Sequence, residues 1–211
     1  MKIAILLYED MTALDAIGPY EVLSRLPDAE VKFVAERAGL VKTDTGFLRL
    51  SAEYSLSEVP EADVLLVPGG PGDAAVRRNE EILGWVRGIH EGTRFTTSVC
   101  TGSLILGAAG LLRGLRATSH WTQLEVLRGF GAEPTGERVV VQGKIVTAAG
   151  VSSGIDMGLR LLQTIVGDDF AQAIQLGIEY DPEPPFDCGS PRKAKDHVVQ
   201  MVRAAMDGAY A

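Results

Sequence analysis

Cysteine and histidine are scarce in this chain: Cys100 and Cys188, with His90, His120 and His197, are all it has in 211 residues. So few cysteines cannot build the disulfide framework of a small secreted fold, and the scattered histidines offer no metal-ligand spacing, so no metal is expected. Basic residues are also in the minority, 20 Lys and Arg against 28 Asp and Glu for a net charge of −8. Without a basic surface to track a phosphate backbone, nucleic acid is not an expected partner. Long apolar runs are missing too: no segment approaches the roughly 20 residues a membrane helix needs, and no membrane partner is expected. The opening "MKIAILLYEDM" carries one lysine and five apolar residues before Tyr8, Glu9 and Asp10, too short for a signal-peptide core. It reads as a first strand of a cytoplasmic protein.

What remains is ordinary globular composition, 46% hydrophobic and 23% charged, in a length that one domain spanning 1–211 can organise around a full core. Segments 2–7, 29–36, 62–70 and 94–100 are short aliphatic or β-branched runs ending at turn residues, the signature of buried parallel strands. Between them, 18–26 and 80–92 have helical spacing; Pro19 suits a first helical position and Gly92 closes the second. Alternating strands and helices imply a doubly wound α/β sheet. Residues 41–54 alternate like a small antiparallel ribbon, and 138–150 reads as a hairpin around a Gln-Gly turn, so the sheet is expected to be mixed. Helical patterns follow at 153–167 and 169–180. A Pro-rich stretch, 181–193, then leads to a helical 194–206; together, from about 181 to 211, they read as an extension docked on the same domain.

The chemistry centres on "TTSVCTG", 96–102. Cys100 falls where a strand hands over to the helix expected from 101–112, at the carboxyl edge of the sheet where open α/β folds place ligands. A buried cysteine can be inert packing. At a helix N-terminus, however, a thiol meets unsatisfied N–H groups and the positive end of the dipole, which favour thiolate, so a nucleophile is the stronger reading. Thr101 brings a hydroxyl and an N–H beside the sulfur, and Gly102 removes bulk. The Pro-Gly-Gly turn at 68–70 ends the preceding strand, and the N–H of Gly70, with that of Thr101, is a candidate oxyanion donor. Asp15 follows the first strand. It is either a helix cap or an acid/base group that shares a proton with the sulfur, and Glu21 competes for the second role. His120 is placed at most behind the groups that touch substrate; His90 and His197 read as solvated, and Cys188 as a passive thiol.

"SVCTGSLILGAAGLLRGLRATSHW" (98–121), "LLVPGG" (65–70), "LDAIGPYEVL" (14–23) and "QLGIEYDPEPPFDCGSP" (175–191) resemble the isocyanide hydratases of the ThiJ/PfpI superfamily, over nearly the whole chain. The resemblance implies a flavodoxin-like three-layer α/β sandwich with a mostly parallel central sheet, usually a homodimer, that hydrates isocyanides to N-substituted formamides without a cofactor. It implies Cys100 as nucleophile, Asp15 as acid/base, Thr101 as its hydrogen-bonding neighbour and Gly70 as a backbone donor. Superfamily proteases resembling PfpI carry histidine directly after the cysteine, where this chain has Thr101, so peptidase activity is not expected. Two alternatives stand beside the hydratase. One is a glyoxalase or deglycase-like stress protein, for which Glu21 is the best substitute acid. The other is a ligand-sensing relative of the AraC-type regulator sensory domain, without the DNA-binding helices that follow it there.

Overall fold

Apolar runs buried on both faces set the architecture. The computed structural model describes residues 1–209, with side chains through Met206. In chain order the first half holds β1 (Lys2–Leu6), α1 (Ala13–Leu23), β2 (Glu30–Ala35), β3 (Gly39–Lys42), β4 (Arg49–Ala52), β5 (Tyr54–Ser55), β6 (Val64–Val67), α2 (Asp73–Val76), α3 (Glu80–Gly92), β7 (Phe95–Val99) and α4 (Gly102–Ala108). The second half holds β8 (Arg116–Ala117), α5 (Leu124–Gly129), β9 (Glu133–Pro134), β10 (Val139–Gln142), β11 (Ile145–Ala148), α6 (Ser153–Val166), α7 (Asp168–Gly177) and α8 (Asp196–Ala209).

Every residue of β6 and β11 is buried, as are the last four of β1 and of β7, which is why these strands read as continuous apolar or β-branched runs rather than alternating ones. They form a seven-stranded sheet in the order β10-β11-β7-β6-β1-β2-β5. All its pairs are parallel except β10 with β11, the hairpin expected around Gln142-Gly143. Gly143 sits at φ +59, the left-handed region such a tight turn demands. Helix α1 packs on α6 and α6 on α7, while α2, α3 and α5 gather around α4, giving a flavodoxin-like three-layer sandwich. The 41–54 ribbon forms as β3 paired antiparallel with β4, outside the main sheet.

Register then positions chemistry. Ile5 pairs with Leu66, Leu66 with Thr97 and Thr97 with Val146, so the loops after β1, β6, β7 and β11 leave the sheet side by side.

Three expectations need correction. Helix α1 begins at Ala13, not near 18, and Pro19 lies inside it. Proline there forfeits a hydrogen bond. Its ring packs so closely that a Cβ added to Gly154 of α6 would sit 3.0 Å from Pro19 Cγ, and the earlier start places Asp15 in the first helical turn rather than in a loop. The second correction is His90, which is not simply solvated: it is half-buried, with Nδ1 2.8 Å from Thr96 Oγ1. The third concerns the segment 169–180, whose helix stops at Gly177, and the Tyr180 hydroxyl beyond it donates to Asp156 Oδ1 at 3.1 Å. From 181 to 193 the chain has no helix or strand, and the Arg203 guanidinium of α8 lies 4.9 Å from the centre of the Trp121 ring. Tyr210 and Ala211, the end of the expected extension, lie outside the described residues.

Candidate active site

Cys100 stands between β7 and α4 with φ +56, a left-handed backbone that costs a non-glycine residue of order 1–3 kcal/mol. The surroundings hold it there. Its N–H donates to the carbonyl of Ala149 at 2.8 Å, and its own carbonyl accepts the hydroxyls of Ser103 at 3.1 Å and Ser119 at 3.0 Å. Room for the elbow comes from Gly102: a Cβ there would lie 2.1 Å from the carbonyl oxygen of Val67, a backbone atom of β6. Gly102→Ala is therefore expected to destabilise the protein by about 3 kcal/mol or more, seen as a drop in denaturation midpoint. A midpoint equal to the parent's would show that the elbow yields.

Opposite the thiol, α1 delivers Asp15, fully buried. Its Oδ2 accepts the N–H of Gly69 at 2.9 Å, while Oδ1 is buried with no fixed partner among the described residues. Burial drives the Asp15 pKa up to about 7; the Gly69 N–H opposes this, the Asp44 carboxylate adds to it, and the Cys100 thiol draws it back down. The entry to α1 is fixed as well, since Thr12 N–H donates to Gly69 O at 2.8 Å.

Cys100 is 3% exposed. Burial first, then the Asp15 carboxylate, push its thiol well above the ordinary value, against N–H groups of Thr101 and Val151 that pull it down. This corrects the expectation of a thiolate favoured by the helix start: a seven-residue α4 does not outweigh burial beside a carboxylate. Burial and the neighbouring carboxylate therefore favour the protonated thiol over the thiolate.

The Gly70 amide also differs from expectation. Its N–H is not open to an oxyanion but donates to Thr101 Oγ1 at 2.9 Å, so Gly70 holds Thr101 in place. The amides directed at the sulfur are those of Thr101 and Val151. Sequence reasoning missed Val151, although the "AAGVSSG" loop follows β11, next to β7, at the same sheet edge.

Neither remaining candidate joins the pair. Glu21 is exposed and accepts from Arg25 Nη2 at 3.0 Å, just past the end of α1. Glu21→Gln is expected to leave turnover within about twofold of the parent, because a screened surface pair contributes little; a larger loss in steady-state rate would return Glu21 to the site. His120 bonds through Nδ1 to Thr122 Oγ1 at 2.8 Å, and its ring lies so near Gly150 that a Cβ there would meet Cδ2 at 2.9 Å. Burial lowers its pKa and keeps it neutral, behind the Val151 loop rather than on the sulfur. Cys188 is exposed, and no cluster of metal-ligating side chains occurs among the described residues.

A strained cysteine elbow on a doubly wound sheet, facing a buried carboxyl from the first helix, defines a class of cysteine-dependent α/β proteins. The chain belongs to the DJ-1/PfpI family, whose sequence profile matches residues 1–164. It is 44% identical to an isonitrile hydratase of Pseudomonas putida across 96% of this chain and 89% of that one. A deglycase of Thermococcus kodakarensis is 30% identical over 70% of this chain and 89% of its own. Among solved structures, a ThiJ/PfpI family protein from Pseudomonas syringae superposes with a TM-score of 0.95 at 38% identity, covering 99% of this chain and 87% of that chain.

Proposed function

We propose that the protein is an isocyanide hydratase, converting R–N≡C and water to the N-substituted formamide with Cys100 as nucleophile and Asp15 as acid and base. The observation that carries this reading is the buried Cys100 thiol beside the buried Asp15 carboxyl, whose Oδ1 has no hydrogen-bond partner among the described residues. An isocyanide must gain both a nucleophile and a proton at the same terminal carbon. A thiol and a carboxyl facing each other supply both at one point. The depth of the sulfur suits an uncharged, linear group, and the 44% identity to an isonitrile hydratase over 96% of the chain supports the same substrate class.

Step by step, ionised Asp15 takes the thiol proton as sulfur bonds to the terminal carbon, and that carbon then takes the proton, giving a thioimidate. Asp15, ionised again, removes a proton from water. The oxygen adds to the thioimidate carbon, and the nitrogen receives the proton. The N–H groups of Thr101 and Val151 steady the charge that develops beside the sulfur. Finally the C–S bond breaks, the hydroxyl proton returns through Asp15 to the thiolate, and the formamide leaves. The route calls on no metal or organic cofactor. Residues 1–211 act as one unit with the extension from about 181, a reading supported by the Arg203–Trp121 contact. A homodimer in the cytoplasm completes the proposal.

The test is to mix the reduced protein with an aryl isocyanide and to quantify formamide by chromatography, with an α-oxoaldehyde run in parallel. Formamide formation is the expected result. Turnover of the oxoaldehyde alone would overturn it in favour of a deglycase. The exposed Glu21 leaves that alternative without its substitute acid.

A further inference from the structure

Asp73 is a second buried carboxylate beside Cys100, and the mechanism above does not use it. It opens α2, three residues beyond Gly70, and is fully buried. One oxygen, Oδ1, is clamped by Arg77, which donates from Nε at 2.9 Å and from Nη2 at 2.8 Å. The other, Oδ2, is buried without a fixed partner among the described residues. An i,i+4 ion pair on a helix surface needs no such burial, and an unsatisfied buried oxygen is costly.

Its neighbour accounts for it. Thr101 Oγ1 accepts the Gly70 N–H at 2.9 Å, and its own hydroxyl reaches the Gly70 carbonyl only at 3.3 Å, a long contact beside the unpartnered Asp73 Oδ2. That carbonyl already accepts the Asp73 N–H at 3.0 Å. Burial raises the Asp73 pKa, with the Thr101 hydroxyl and the Arg77 guanidinium pulling against it, and the Asp73 charge reaches the Cys100 sulfur.

From Thr101 the connection runs on through the glycine turn. Gly70 sits at φ +135, pressed so closely on the turn that leads into α1 that a Cβ there would lie 2.4 Å from Thr12 N, and the N–H of Gly69 holds Asp15.

We propose that Asp73 is a positioning residue of the cysteine site: clamped by Arg77 on one oxygen, it orients the Thr101 hydroxyl with the other and so fixes the Gly69–Gly70 turn between Cys100 and Asp15. The proposal rests on Cys100 being the reactive group, and not on the identity of the substrate.

The charged and titratable groups around the sulfur are Asp15 from α1, Asp73 from α2 with its partner Arg77 just past that helix, and His120, held neutral behind the Val151 loop. In Asp73→Asn, the amide oxygen must face Arg77, which turns an N–H₂ toward Thr101 and removes the charge beside the sulfur.

The experiment uses the full chain carrying Cys188→Ser, so that Cys100 is the thiol followed. Isocyanide turnover and the pH midpoint of Cys100 alkylation by iodoacetamide are measured for Asp73→Asn, Thr101→Val, the double variant and Arg77→Met. Asp73→Asn is expected to lower kcat roughly 10- to 100-fold, the scale of a misplaced catalytic group, with little change in KM. Its alkylation midpoint moves to lower pH, because a negative charge next to the sulfur is gone. The double variant is no slower than the worse single one. Arg77→Met, which removes the clamp on Oδ1 and frees the Asp73 carboxylate to turn away from Thr101, lowers kcat in the same way and decides the matter if Asp73→Asn does not fold. An unshifted midpoint in folded Asp73→Asn, an unchanged kcat in Arg77→Met, or losses that multiply in the double variant, overturn the proposal. Should the parent itself not hydrate isocyanides, the alkylation midpoints alone decide it.

Discussion

Cys100→Ala is expected to lose isocyanide hydration almost entirely, a fall of roughly 10⁴-fold or more, since removing the nucleophile removes the covalent route rather than one contact along it. The elbow should survive, because the hydrogen bonds that hold it are made by the Cys100 backbone to Ala149, Ser103 and Ser119, and alanine keeps them all. Cys100→Ser should be nearly as inactive: the hydroxyl sits in the same place but holds its proton far more firmly than a thiol. Formamide production is followed by chromatography with folding checked by circular dichroism. A folded alanine variant that keeps even a tenth of the parental rate would exclude the thioimidate.

Asp15→Asn is the second large effect, on the order of 10²- to 10⁴-fold in kcat, the usual yield of a positioned acid/base group. Its signature lies in pH. The acid/base cycle starts from an ionised Asp15 facing a protonated thiol, so the parental rate should climb as pH rises through about 7, where burial has put this carboxyl. The asparagine variant should lack that limb. Stability changes in the opposite sense. Between the model-peptide value of 3.8 and about 7 the folded protein holds a proton on Asp15 that the unfolded chain has released. This contribution is complete below 3.8 and is lost as pH rises through about 7, by at most about 4 kcal/mol. Asparagine, which never ionises, escapes the loss. Its melting temperature relative to the parent should therefore increase from pH 5 to pH 8. A constant difference across that range would mean that Asp15 titrates normally.

Much of the fold was legible because its signals are local and periodic. Helix α3 occupies 80–92 as its apolar spacing and closing glycine required, and the Gln-Gly turn gave the β10–β11 hairpin. Continuous apolar runs could be read as parallel strands because only strands covered on both faces tolerate them. Helix α1 was harder to read. Proline is a local breaker signal, and nothing near Pro19 in sequence reveals that its ring would meet Gly154, 135 residues further on. His90 was misjudged for a related reason: Thr96 faces it only once α3 packs beside β7.

Residue types and positions along the chain were enough to nominate Cys100, Asp15 and Thr101, since a strand-to-helix turn with a glycine after the cysteine is a local pattern. The state of those groups was not. Protonation depends on the loss of water around them and on charges brought from other elements, and so the buried Cys100 thiol is raised where an isolated helix start would lower it. In the same way only folding could show that the Gly70 amide is spent on Thr101, that Val151 directs an N–H at the sulfur, and that Asp73 stands buried behind Thr101. Periodicity and turn chemistry act between near neighbours, and they were enough to read an α/β sandwich with a cysteine at the carboxyl edge of its sheet from the order of residues. The tertiary structure decided which donors and carboxylates surround that cysteine and where its proton rests, because burial and electrostatic fields are summed over groups that are distant along the chain.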